Sequence, residues 1–213
     1  VHDRRDGRRP RSRGGAGVVV SLLLALPATL GLWLVSGGRG LPLRVARPLA
    51  ALNTAAATEG VLIRVTGKAD RPINLIYLHK SEHSDAILHH VVKLEEGAEL
   101  TLLENGPGAA RFNKVLEVDV ADGARFHHIR AQGRDHERRA ATHIFARLGA
   151  RSLFKSFTLT ANGVLTRNEA VLELTGDDAV AHVAGAAVGD GNFHHDDTVF
   201  VTHAAERCES RQV

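Results

Sequence analysis

The chain has no methionine, even at position 1, and a single cysteine among its 213 residues. One thiol, Cys208, excludes an internal disulfide framework and any zinc site built on cysteine pairs. It equally excludes an iron–sulfur cluster held by several cysteines of this chain alone. A reducing compartment accords with that usage. Aromatic residues amount to 4%, so a core drawn from 44% hydrophobic residues must be built of Val, Leu, Ile and Ala. Proline is scarce (6) beside glycine (21), a balance suited to many tight turns. The chain opens on Val1 and stops on Val213 inside a charged stretch, and it reads as a fragment or as a start codon translated literally.

Charge is unevenly spread. Residues 1–47 hold nine arginines against Asp3 and Asp6, which leaves 18 basic and 22 acidic residues for the rest, a net −4. A mildly acidic body lacks the clustered Lys and Arg that phosphate binding requires, so nucleic acid is excluded as a partner.

Residues 1–17 are Arg- and Gly-rich without apolar periodicity, the composition of a disordered segment. Val18 to Val35 is an 18-residue run without charge behind six arginines, with Pro27 in its middle. That is the shape of a signal-anchor, and a membrane-tethered chain is one reading of it. Residues 1–47 are therefore expected to stand apart from residues 48–213, the folded body.

Pro48 to Glu59 is Ala-rich and predicts a short helix begun by Pro48 and ended by Gly60. Strand material follows almost without interruption: 61–65, 73–78, 86–94, 99–104, 112–120, 124–132, 142–148, 153–160, 168–175, 179–188 and 197–203. Many of these segments alternate with period two, as Leu116, Val118 and Val120 do against Val115, Glu117 and Asp119. The turns recur as well. Gly97, Gly123, Gly149 and Gly176 lie 26, 26 and 27 residues apart, and Gly163 and Gly189 repeat the 26. Such a period predicts an all-β fold, a right-handed parallel β-helix (solenoid) with a short N-terminal helix, with glycine in the left-handed conformation at each corner.

Chemistry is harder to find. Histidine pairs occur at His89-His90, His127-His128 and His194-His195, but strand neighbours face opposite ways and cannot chelate one ion. His195, Asp196 and Asp197 form the densest acid–base cluster, and a β-helical carbohydrate-active enzyme is the corresponding alternative function. The scarcity of aromatic platforms counts against it. Gly106-Pro107-Gly108 lacks the Lys-Ser/Thr of a phosphate loop. Arg207 and Arg211 near Cys208 would favour a thiolate. No catalytic residue and no bound cofactor is assigned, and His203 and Cys208 stand as weak metal candidates.

The stretch from His203 through Ala204, Ala205, Cys208, Ser210, Arg211 and Gln212 resembles the H-A-x-x-x-C-x-S-R-Q signature of the SufD family. Arg167 and Asn168, within LTRNEAVLELTG (165–176), belong to a second matching segment. Others are ALNTAAATEGVLIRV (51–65), RPINLIYL (71–78), LEEGAELTLLE (94–104) and DGNFHHDDTVFVTH (190–203). The resemblance covers about 48 to 213, and SufB shares the fold and some of these segments. It implies a non-catalytic, cytoplasmic scaffold of the Suf iron–sulfur assembly complex. That scaffold pairs with a SufB-like subunit and a SufC-like ATPase, and the nascent Fe–S cluster forms in the full complex. Family members continue past Ser-Arg-Gln through further coils, a Ser-His-Gly motif and a helical ATPase-binding end. The solenoid is thus expected to be incomplete at its C-terminal end, and no cluster-binding residue is carried over.

Overall fold

The computed structural model describes residues 17–24, 47–78, 81, 83–106, 109–133 and 137–213. Strands form where the period-two pattern places them, because each can bury one row of Val, Leu or Ile and leave the alternate row outside. They are β1 (Val18–Leu24), β2 (Glu59–Val65), β3 (Ile73–Ile76), β4 (Asp85–Leu94), β5 (Glu99–Asn105), β6 (Arg111–Val120) and β7 (Arg125–Gly133). The series continues with β8 (Arg139–Leu148), β9 (Leu153–Ala161), β10 (Leu165–Leu174), β11 (Val180–Val188), β12 (His195–His203) and β13 (Glu209–Gln212). Helix α1 (Pro48–Ala56) is the one helix among the described residues.

Sheet A takes the order β1-β2-β4-β6-β8-β10-β12 and sheet B the order β13-β11-β9-β7-β5-β3. Alternate strands therefore belong to opposite sheets, and all pairings from β2 onward are parallel. The result is a parallel β-solenoid of about five turns. One side of its lumen is filled along the axis by stacked apolar residues, with the row Val92, Val118, Ala146 and Leu172 from sheet A and the row Leu100, Phe126, Phe154 and Ala181 from sheet B in one core cluster.

The corners differ from the glycine expectation in an orderly way. A left-handed residue stands two places before each of the last five strands of sheet B: Gly97, Gly123, Arg151, Asp178 and Arg207. Its N–H bonds the next coil, as in Gly97 N to Asp122 O (3.0 Å), Gly123 N to Ala150 O (2.8 Å) and Arg151 N to Asp177 O (2.8 Å). Glycine fills only the first two of these positions. Gly149 and Gly176 sit two residues too early, and they are glycine because a Cβ would collide with the preceding coil, at 2.0 Å from Ala150 N in the case of Gly176. The partner registers advance 26 (Glu99 to Arg125), then 28 (Arg125 to Leu153), then 27 (Leu153 to Val180) residues, so a fixed 26-residue ruler drifts off the corner. In the second series Gly163 has φ 109, but its partner in positive φ is Gly191, not Gly189.

Two further expectations change. Gly60 does not end the helix, which stops at Ala56; it lies inside β2, where a Cβ would meet His89 O at 1.8 Å. The apolar segment at Val18–Leu24, expected to lie apart from the body, pairs antiparallel with β2 from Val18 opposite Val65 to Leu24 opposite Glu59. Its β-branched start favours an extended chain, and β2 offers an unpaired edge. Residues 1–16 and 25–46, with Pro27 and the remainder of the anchor-like run, lie outside the described residues. Among those described, no helix is long and apolar enough to cross a membrane.

Candidate functional site

Parity along the strands defines the lumen. In β5 the inward residues are Leu100, Leu102 and Glu104; in β6 they are Lys114, Leu116, Val118 and Val120; in β7 they are Phe126, His128 and Arg130. The apolar members occupy one side of the coil and the polar members the other. Each polar residue is aligned with its counterpart above and below. Lys114 lies beside Thr142, Thr142 beside Asn168, and Asn168 beside Asp197. On the facing sheet Glu104 lies beside Arg130, and Arg130 beside Thr158. A polar column thus runs through several coils of an otherwise apolar solenoid.

Its centre is ionic. Glu104 and Lys114 are paired across the lumen, both fully buried. Burial alone would raise the Glu104 carboxyl, but Lys114, the adjacent His128 ring and the Arg130 charge together hold it well below the usual carboxylate range. Burial lowers Lys114 to about 8 against the pull of Glu104. His128 Nε2 lies 3.4 Å from Glu104, and its Nδ1 is 2.8 Å from Ser156 Oγ. Tyr77 Oη is 3.0 Å from His90 Nε2, and the backbone N–H of Val61 donates to His90 Nδ1 at 3.1 Å. His90 is therefore neutral with its proton on Nε2, and burial depresses it to about 4. Burial and the nearby Glu104 raise Tyr77 well above the ordinary phenol range.

Arg130 extends the column. It donates to Thr142 Oγ1 (2.7 Å) and to Asn168 Oδ1 (2.8 Å). Asn168 Oδ1 also accepts from Thr142 Oγ1 (2.8 Å) and Gln132 Nε2 (3.0 Å). Beside these groups a cavity of about 360 Å³ is lined by Arg130, Ser156, Thr158, Asn168, Asp197 and Gln212, among others. Its walls offer donors and acceptors at once, which suits water or a small polar solute.

The residues singled out by sequence divide between this lumen and the exterior. Asn168 and Gln212 line the cavity. Arg167 faces outward, donating to Glu169 Oε1 at 2.7 and 2.9 Å and lying 3.6 Å from Asp196. His203 Nε2 lies 3.0 Å from Ser210 Oγ, and Arg211 is exposed opposite His182. Cys208 follows the left-handed corner residue Arg207, as Ala98, Ala124, Ser152 and Ala179 follow theirs. Its Sγ bonds Gly176 O (3.4 Å) and Glu206 O (3.5 Å) and packs against the core. Among the described residues, no group of three or more His, Cys, Asp or Glu could hold a metal ion. Of the acid–base cluster, His195 and Asp197 share a face at 3.0 Å, while Asp196 turns outward to Arg167, so the two carboxylates do not confront one cleft. The histidine pairs divide likewise: His90 and His128 face inward, and His89 lies 2.5 Å from Glu117 on the opposite face of sheet A, where both are buried.

The profile of the family described as "SUF system FeS cluster assembly, SufBD core domain" matches residues 77–213. The chain belongs to the SufBD core family. Its role thus lies in Suf iron–sulfur cluster assembly, as a member of a family of assembly components. The matched span begins at Tyr77 and contains Glu104, Lys114, His128, Arg130 and Asn168, so the whole ionic column falls within the SufBD core. No curated protein matches the chain. Sequence reading missed Glu104, Lys114 and Arg130, and met His128 only as one of a histidine pair. Their signal was parity, since each charged side chain falls in register with the buried Leu, Val or Phe of its own strand.

Proposed function

We propose that the chain is a SufD-type scaffold subunit that pairs with a SufB-like subunit and a SufC-like ATPase. The observation that carries the reading is the Cys208-x-Ser210-Arg211-Gln212 run, which leans towards SufD, in a chain that belongs to the SufBD family. The architecture supports a scaffold: stacked coils are rigid along their axis, and ionic contacts such as Glu104 with Lys114 cross the lumen from sheet to sheet. In this reading the nascent Fe–S cluster is cargo of the assembled cytoplasmic complex and is not bound by this chain alone.

The test is affinity purification of the full-length protein co-expressed with its SufB-like and SufC-like neighbours. Co-elution of all three in constant ratio is expected. Iron and sulfide should then give the visible absorbance of an Fe–S cluster on the complex but not on the chain alone. Failure to co-elute, with the β-solenoid intact by circular dichroism, would remove the assignment.

A further inference from the structure

The two outer faces of the solenoid are covered differently. Helix α1 lies across sheet A and seats Ala50 on Val115, Phe145 and Val171. On sheet B the outward residues Ile129, Phe157 and Leu159 remain 47%, 40% and 39% exposed. Strand register sets these residues in rows that run from strand to strand. Leu103, Ile129, Phe157 and Ala184 form one row, and Ala131, Leu159 and Ala186 form the next. The row on the other side is polar and basic: Thr101, His127, Lys155 and His182, with Arg125 nearby. The acidic groups bordering that row are engaged, Glu99 with Lys68 at 3.1 Å and Glu209 with His182 at 3.4 Å.

Parallel strands lie about 4.8 Å apart, so the Leu103-to-Ala184 row spans about 14 Å. That is nearly three turns of an α-helix at about 5.4 Å each, which brings residues at i, i+4 and i+7 over successive strands. Within this molecule α1 already packs crosswise on the opposite sheet in the same manner.

We propose that the outer face of sheet B docks an amphipathic helix of a partner protein, with its apolar stripe across Leu103, Ile129, Phe157 and Leu159 and an acidic flank along His127 and Lys155. Charge complementarity selects the partner. His127 is depressed chiefly by burial and then by the Lys155 charge; Glu99 opposes this and Arg125 adds to it, so the cations of this row outnumber the one opposing carboxylate and an acidic flank answers them. A second copy of α1 does not, because its sequence, PLAALNTAA, carries no acidic residue. This inference holds whether or not the chain is the SufD-type subunit.

The test uses two labelled peptides of about 18 residues with the same leucine stripe, one flanked by Glu and the other by Lys, titrated by fluorescence anisotropy against the full chain. The Glu peptide is expected to bind about tenfold or more tighter at low salt, and the difference should shrink as NaCl approaches about 0.5 M. Phe157→Ser and Ile129→Ser should each weaken binding severalfold, and Lys155→Glu should erase the preference. Leu52→Ser, on the exposed side of α1, should change nothing. Equal binding of both peptides, no binding by about 1 mM, or equal loss with Leu52→Ser would overturn the proposal. So would self-association in sedimentation that Phe157→Ser abolishes, since the face would then belong to a second copy.

Discussion

Glu104 on β5 and Lys114 on β6 form an ion pair across the lumen with neither side chain accessible to water. The pair joins the two sheets at a level where the neighbouring coils are apolar on one side and polar on the other. Removing one partner leaves a buried charge without its counter-ion, which costs about 3–5 kcal/mol. Lys114→Met and Glu104→Gln should each lower stability by about that amount in urea unfolding. The double variant should lose less than the sum, by more than about 1 kcal/mol. Additive losses would mean that the two groups act independently.

His90 gives the acid limb of stability a defined window. Its folded-state pKa is depressed to about 4 from 6.5, so between these values the unfolded chain takes up a proton that the folded one refuses. Stability from His90 is complete above pH 6.5 and is lost as pH falls towards 4, by about 3 kcal/mol in total. His90→Gln should flatten this part of the pH–stability curve, as measured by urea midpoints at several pH values. An unchanged slope would show that the ring is not held neutral.

Corner glycines and stacking glycines should respond differently to the same substitution. Gly97 has φ 66 and open space around its missing Cβ, so Gly97→Ala should cost about 1 kcal/mol of backbone strain. Gly176→Ala drives a Cβ into the Ala150 backbone and should cost at least about twice as much. Arg151→Gly should recover about 1 kcal/mol of left-handed strain, set against the added freedom of the unfolded chain. Thermal unfolding of the three variants side by side decides the order.

Cys208 occupies the corner position that Ala98, Ala124 and Ala179 fill in other coils. Cys208→Ala should therefore stay within about 1 kcal/mol of the parent, whereas Cys208→Phe should overpack the corner and cost about 1–3 kcal/mol. A large loss with alanine, or loss of a function at unchanged stability, would point to a role for the thiol beyond packing.

Much of this was legible in the chain. Alternation such as Leu116, Val118 and Val120 against Val115, Glu117 and Asp119 located β2 to β12 to within a few residues, and the near-constant turn spacing specified a solenoid; β1 and β13 were not foreseen. The candidate site was less legible. Lys114 and Glu104 look like surface residues until their strand parity is compared, because local sequence records alternation but not which partner faces it. Asn168 was singled out by resemblance, but its three donors, Arg130, Gln132 and Thr142, come from two other strands.

By itself the sequence determined the strand-and-turn rhythm and hence the repeating coil, since period-two burial and tight turns are local properties of the chain. Only the tertiary structure decided the length of each coil, the residue at each corner and the partner across the lumen. Coils of 26 to 29 residues keep their strands in register by hydrogen bonding to the coil before, whatever the glycine spacing. That is why Arg151, Asp178 and Arg207 hold the left-handed corners beyond Gly123. It is also why a lysine and a glutamate ten residues apart meet inside a core that neither could enter alone.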